Sequence, residues 1–590
     1  MSQPTVLILG GLAAGQDATR HLLPYLCHPA SSCPAHLRPR FVRVVDKFLC
    51  IPSANAYTTY VDDRAREVLK RGAQDGTVEY LQGNLLTQAT RDKVFCLPAS
   101  QASPSDPSAG FDYILDFTGE PDFSAPSLVH AERTVRLALC LGQSAVKHRA
   151  RAYVRLVQPF YKLRDAKKDA RVGEEGAGVA GPWGRLAGWW HEAARGLANM
   201  EDLPLVLLRP SLLYGPATLS GLTPRLLLGE LYLHASEQMD FLWSDALPQD
   251  TCHAEDFAAA CVYAADWIAR EGLAGIKKHR TEVLAPAPAL GTDADAALAP
   301  LVALGAVPRS SGDVKAVVFN ASDDGRTRAR DVARAVEQVV PGVKTGFHGA
   351  VINKFAKMNL DEAVEDANDK HLDLYTSLLS SLPPSSSPSP LSPQVPADFL
   401  APHPLALDNA QLKKLTGWAP RFAKLDVDEA RRAKEGFRNE GTWPCAAPNY
   451  GHDGCPFGEY RGRHGYCSRH RYEDDDYYGG FKKGFPHKNW KYGDDSGHGY
   501  SYDHDGNGPP DWCPDGWQYY GRDIGWAPYK GWQPPHKWKP PVVFLKVIVK
   551  ITWWSPPKDW CDFWQNKWEW YDYKIPSWWD FSPRKGGYKA

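Results

Sequence analysis

The sequence has no apolar run near the roughly 20 residues that a membrane-spanning helix needs. Its longest strand-like stretch near the C-terminus, Val542–Ile551, is interrupted by Lys546 and Lys550. It has no excess of either charge: 68 Lys and Arg face 69 Asp and Glu, a net charge of -1, so the overall balance draws it neither to nucleic acid nor to an anionic membrane. It shows no basic, apolar and small-residue succession at its start, where Met-Ser-Gln-Pro leads straight into Thr5-Val-Leu-Ile-Leu9. These absences set the expectation of a soluble, cytoplasmic protein. The cysteines form no recognisable framework either. Seven are scattered between Cys27 and Cys261, and Cys445, Cys455, Cys467, Cys513 and Cys561 are an odd set that cannot all pair with one another. Cys455, Cys467 and His470 lack a finger spacing, and no metal is expected.

What is present changes abruptly near residue 444. Before it, short apolar runs bounded by Gly and Pro alternate with helix-like stretches. Val6–Leu9, Phe41–Val45, Val78–Leu81, Tyr113–Phe117, Ala152–Val157 and Leu205–Leu208 read as buried parallel strands, with His130–Gly142 and Gly188–Met200 helical between them. The expected fold is α/β, a doubly wound parallel sheet of Rossmann type over residues 1–444. A smaller substrate lobe lies mostly in 216–444, and residues 445–590 form a largely irregular Trp/Tyr/Gly-rich tail. His28–Pro39, Pro98–Gly110 and the Ala/Pro-rich Ala285–Pro308 read as surface insertions, and residues 380–404 as an extended or disordered linker.

A dinucleotide site needs glycines between the first strand and its helix, so that backbone can approach a pyrophosphate, and an acid after the second strand for the ribose hydroxyls. Gly10, Gly11 and Gly15 stand at the first position and Asp46 at the second. Asn84 follows the third strand, where a polar side chain meets an adenine edge, and Thr118 and Gly119 end the fourth. Downstream come Leu208-Arg-Pro210-Ser-Leu-Leu-Tyr214-Gly-Pro216, Thr251-Cys-His253-Ala-Glu255-Asp256, Val318-Phe-Asn320-Ala and Leu412-Lys-Lys-Leu-Thr-Gly417-Trp418-Ala-Pro420. In this order the segments resemble the extended short-chain dehydrogenase/reductase superfamily, the sugar-nucleotide epimerases and dehydratases, over roughly residues 4–440. More narrowly, Gly221-Leu-Thr-Pro-Arg225, Phe347-His348, Phe355-Ala-Lys-Met-Asn359 and Val364–His371 are similar to a fungal or protist branch of it. The resemblance implies an NAD cofactor, with Pro210 and Tyr214 toward the nicotinamide side, a small-molecule substrate, and room for a homodimer. Asp46 favours NAD over NADP, while Arg43 and Lys47 pull the other way. In the family's glycine register, Ala13 and Gln16 replace two glycines. Using Gly15 and Ala18 instead implies a turn about two residues longer.

The family's Tyr-x-x-x-Lys pair, which moves a proton while hydride moves on the cofactor, is missing. Alignment on the helix end puts Leu186 at the Tyr position and Trp190 at the Lys position. The strand end Tyr153–Tyr161 has no Ser or Thr. The one Tyr-x-x-x-Lys in the chain, Tyr478 with Lys482, spans paired glycines in the tail and reads as coincidence. Tyr161 and His191 are the remaining catalytic candidates near the expected site, against the plainer reading of a wall tyrosine and a helix-surface histidine. His253, Glu255 and Asp256 read as a brace beside the nucleotide. Two functions stay open: an oxidoreductase or epimerase on a nucleotide-linked sugar with non-standard catalytic residues, or a non-catalytic NAD-binding regulatory or scaffold protein. In the tail, Trp526-Ala-Pro, Trp532-Gln-Pro and Trp538-Lys-Pro recur every six residues, and Val542–Thr552 reads as a strand. The favoured reading of this tail is a partly disordered, adhesive extension, with stacking of the rings on carbohydrate or docking to a protein as the alternative.

Overall fold

The computed structural model describes residues 3–444 except 13–17, 51–59, 103–109, 164–169, 175–178, 288–289, 291–292, 309–313 and 383–388, and four short strands beyond them. The chain divides into two compact units, Met1–Glu473 and Asp474–Ala590. In the first unit, seven strands build one sheet: β1 (Thr5–Leu9), β2 (Phe41–Asp46), β3 (Val78–Gln82), β4 (Tyr113–Asp116), β5 (Ala152–Leu156), β6 (Leu205–Pro210) and β7 (Val318–Ala321). Their order is β7-β6-β5-β4-β1-β2-β3 and every pairing is parallel. Parallel neighbours need crossover connections, which carry helices to both faces of the sheet. Val6, Ile8, Val44 and Val154 accordingly share one core with the helices Ala18–Cys27 and Ala254–Lys278. Leu7, Leu9, Ile114 and Leu207 share the other with Leu137–Lys147 and Arg185–Ala198. The expected doubly wound sheet is what forms. Its strand order reverses between β1 and β4, which is where ligands bind in such sheets.

Ala285–Pro308 differs from the expected surface insertion. It contains a helix, Ala294–Ala303, and buries Leu290, Ala294, Leu298 and Val307 against the helices of the second face. Its entry is clamped by three polar side chains of Arg185–Ala198. His191 Nε2 donates to Ala285 O at 2.6 Å, Ala287 N donates to Glu192 Oε1 at 2.8 Å, and Arg195 Nε donates to Leu284 O at 3.2 Å. Alanine favours helix strongly enough to outweigh the Pro content. The buried backbone still needs partners, and that helix supplies them.

A second, smaller core gathers Leu226, Val336, Leu378 and Phe437 from the helices Thr223–Ala235, Ala329–Val339, Leu360–Ser381 and Val427–Asn439, together with Tyr214 of the short strand Leu212–Tyr214. The described part of the 380–404 stretch belongs to it: Leu391 and Val395 are buried there, and Asn368 bonds both N and O of Val395 at 2.8 and 3.0 Å. Two segments far apart in sequence meet at Asp256, whose carboxylate accepts from Arg421 N and Phe422 N, both at 2.9 Å. Its carbonyl accepts from Trp418 Nε1 at 3.0 Å. In the tail, Trp526–Pro528 pairs antiparallel with Trp517–Tyr519. The other two Trp-x-Pro repeats, Val542–Thr552, Tyr478, Lys482, Cys455 and His470 lie outside the described residues. No helix of the described residues is long and apolar enough to cross a membrane. Trp418 is 1% exposed, so Trp418→Ala is expected to cost about 3–5 kcal/mol, measured by urea unfolding followed by circular dichroism. A loss below about 1 kcal/mol would show that the closing segment does not hold the sheet's helices in place.

Candidate functional site

The chain leaves β1 through Gly10 and Gly11 at φ +72° and +74°, the left-handed region that residues with a Cβ enter only with strain. A Cβ on Gly10 would sit 3.1 Å from Thr118 Cγ2 and 3.2 Å from Thr118 Cα, so the β1 turn and the end of β4 approach through hydrogen alone. The turn's carbonyls are taken by the first turn of the next helix: Thr19 Oγ1 donates to Gly10 O at 2.6 Å and Arg20 Nη1 to Leu12 O at 3.0 Å. Asp46, at the tip of β2, accepts from Leu12 N at 3.2 Å and from Phe48 N at 3.1 Å. The acid therefore ties the glycine turn to the loop after β2. Gly15, with Ala13 and Gln16, lies outside the described residues. Asn84 is exposed, and its Oδ1 accepts from Leu86 N at 3.1 Å. Arg43 points inward, donating to Glu79 and to Val94 O, both at 2.7 Å.

Beside this turn lies a network that spacing in the sequence does not announce. Asp116 and Arg155 are register partners at the ends of β4 and β5 and form an ion pair of 2.8 Å, each 0% exposed. Tyr153 Oη donates to the same carboxylate oxygen, Oδ2, at 2.6 Å, and Thr118 donates to the other, Oδ1, through N and Oγ1 at 2.9 and 2.7 Å. Arg155 Nη1 also donates to Thr118 Oγ1 at 3.1 Å. Its Nε and Nη2 have no hydrogen-bond acceptor among the described residues. The Trp190 ring covers the guanidinium instead, 4.7 Å from its centre, a cation–π contact that is strong where water is excluded. Trp190 also donates through Nε1 to Glu120 O at 3.3 Å. It lies so close to Gly119 that a Cβ there would stand 2.3 Å from the indole. A lysine in place of Trp190 would set a second cation against a buried one, which a low-dielectric interior penalises heavily. The tryptophan and the arginine therefore belong together. The detectable signal was one charge in each of two otherwise apolar strands, at positions that register brings level.

Leu186, at the position of the missing tyrosine, is buried in the sheet core with Trp190. Tyr161 and His191 do come together. Tyr161 Oη donates to His191 Nδ1 at 3.0 Å, since His191 Nε2 carries the proton given to Ala285 O. Both are 2% exposed. Burial pushes Tyr161 up to about 12 and His191 down to about 4, so both stay neutral at neutral pH. Arg209 stacks 3.9 Å from the Tyr161 ring centre, and its guanidinium donates to Glu282 and to Asn320 Oδ1.

Pro210 ends β6 opposite Ala321 of β7. Tyr214 lies in the second core, where its hydroxyl donates to Lys424 O at 3.0 Å and accepts from Asp426 N at 3.2 Å. His253 caps the Ala254–Lys278 helix, accepting from Glu255 N at 3.2 Å, and its Nε2 stands 3.4 Å from Glu429. That contact holds the Glu429 carboxyl below its usual range. His253, Glu255 and Glu429 line a small cleft with His21, Arg64 and Pro216. Among the described residues no group of three His, Cys, Asp or Glu side chains is placed to hold a metal.

No protein-family model matches this chain, and no curated protein does. Solved structures similar to it include UDP-glucose 4-epimerase from Thermotoga maritima with UDP-glucose, at 12% identity over 74% of this chain and 99% of that one, TM-score 0.41. The enzyme WbmG of Bordetella bronchiseptica in complex with NAD and UDP is 15% identical over 75% and 97%, TM-score 0.42. UDP-glucuronic acid 4-epimerase from Bacillus cereus in complex with NAD is 10% identical over 74% and 99%, TM-score 0.41.

Two outcomes follow from the site's electrostatics. Arg155→Met leaves Asp116 buried and unpaired and is expected to cost about 3–5 kcal/mol, while Asp116→Asn in the same chain recovers most of it, read from urea unfolding curves. Equal stability of the wild type and the single variant would mean that the pair does not hold the ends of β4 and β5 together. His191 has its folded value lowered, so its contribution is complete above its unfolded value of 6.5 and is lost as pH falls toward about 4. The melting temperature of His191→Gln is therefore expected to fall less than that of the wild type between these two pH values. Parallel pH profiles would contradict a buried neutral imidazole.

Proposed function

We propose that the chain is an NAD-binding protein of the epimerase/dehydratase type that keeps the adenosine half of its crevice and has filled the catalytic half with protein, so that it acts as a ligand-responsive regulator or scaffold. The observation that carries this is Trp190, whose ring lies against Gly119 and over Arg155 at the Lys position of the resembled family. The glycine turn and Asp46 fit an adenosine diphosphate group: the turn holds two left-handed glycines and Asp46 stands at the tip of β2. Arg43 is spent inside the protein on Glu79 and Val94, which favours NAD over NADP, whose extra phosphate seeks a cation. Bound NAD supplies a hydride acceptor, yet Leu186 and Trp190 offer no proton at the usual positions. The Trp-rich tail is the region suited to a protein or carbohydrate partner.

A second reading, an oxidoreductase or isomerase on a nucleotide-linked sugar, draws on the Tyr161–His191 hydrogen bond of 3.0 Å. Against it stand the burial of both groups and their displacement away from neutrality. Calorimetry is expected to show NAD and ADP-ribose binding with affinities within about tenfold of each other, since a nicotinamide half without protein contacts adds roughly 1.4 kcal/mol at most. NADP is expected to bind more weakly, and Gly10→Val to abolish binding of all three. With UDP-glucose or UDP-glucuronic acid and NAD, no epimerised sugar and no NADH should accumulate. Absence of NAD binding would sink the first reading. Turnover lost in Tyr161→Phe at unchanged NAD affinity would establish the second.

A further inference from the structure

The described residues expose eleven large apolar side chains, and six of these lie on two consecutive helices of the smaller lobe. Val351, Ile352, Phe355 and Met358 stand on Ala350–Met358, and Leu372 and Leu379 on Leu360–Ser381. Positions 351, 355 and 358 share one helix face. Val351 is 84% and Met358 77% exposed, whereas Ala356 is the helix's one buried residue. The helix is anchored through Asn353, whose Oδ1 accepts from Trp243 N at 2.9 Å and whose Nδ2 donates to His348 O at 2.8 Å. A single exposed apolar residue needs no explanation, but a contiguous stripe on a fixed helix marks a surface that meets something.

The charges around the stripe say what. Lys354 and Lys357 flank it on its own helix, and the next helix exposes Asp361, Glu362, Glu365, Asp366 and Asp369. Among the described residues none of these seven is in an ion pair. Five carboxylates beside the stripe repel an anionic membrane. A surface with an apolar centre, lysines at one end and carboxylates along the other is instead complementary to itself when turned by a two-fold axis. Each stripe then covers its twin, and each pair of lysines meets the partner's acidic helix. We propose that Ala350–Met358 and Leu360–Ser381 form a two-fold interface with a second copy of this chain. The longer helix spans about 33 Å at about 1.5 Å per residue. Stable dimers bury roughly 800 Å² per partner, so the interface draws on both helices rather than on Ala350–Met358 alone.

The test is sedimentation velocity on the full chain over a concentration series, with circular dichroism as the control for folding. The wild type is expected to sediment as a dimer and Phe355→Asp as a monomer with an unchanged spectrum. Lys354→Glu with Lys357→Glu, both on the exposed surface, is expected to raise the dimer dissociation constant at least tenfold. A monomeric wild type overturns the proposal, as does a dimer that survives both variants. So does flotation of the wild type, but not of Phe355→Asp, with phosphatidylcholine/phosphatidylserine vesicles, because the stripe would then serve a lipid surface.

Discussion

The ion pair between Asp116 and Arg155 sets the terms for everything at the C-terminal ends of the central strands. Two charges removed from water at the ends of adjacent strands are tolerable only if their remaining bonding capacity is met. Tyr153 and Thr118 meet it for the carboxylate. That fixes Thr118 against Gly10, and so holds the glycine turn to the end of β4. For the guanidinium the requirement is met differently, by an aromatic face. The glycine turn and the packing of Trp190 over Arg155 are thus parts of one network.

The sheet was legible because its strands are apolar on both faces and bounded by Gly, Pro and Asp. Burial on both sides leaves little choice of residue, so Val6–Leu9 and Phe41–Val45 could be placed to within a residue or two. The glycines and Asp46 were legible as types at expected stations, though not what Asp46 bonds. Arg155 was not, since a lone cation in Tyr153-Val-Arg-Leu gives no sign of its partner until register sets β4 beside β5. The Ala285–Pro308 stretch misled for a different reason. Its Ala and Pro suggest a solvated loop, while the decisive fact is the hydrogen bonds that His191, Glu192 and Arg195 make to it from another helix. Partners supplied from a distance are what local composition cannot report.

His191 illustrates how a residue suited to proton transfer becomes structural. Its ring bridges Tyr161 and the Ala285 carbonyl, so both nitrogens are committed and the tautomer is fixed. An imidazole held in this way contributes direction rather than charge, and its neighbour Arg209 spends its own charge on Glu282. The hydrogen bond orients the two catalytic candidates, and the burial they share keeps both from ionising.

The interlock of Gly119, Arg155 and Trp190 also constrains how the chain can be altered. With no Cβ on Gly119 where the indole sits, and the indole serving as the lid of a buried cation, a lysine at 190 sets one cation against another, and a smaller side chain leaves the guanidinium uncovered. Each of the three residues is tolerable only in the company of the other two, so a redesign of this part of the sheet has to change them as a set.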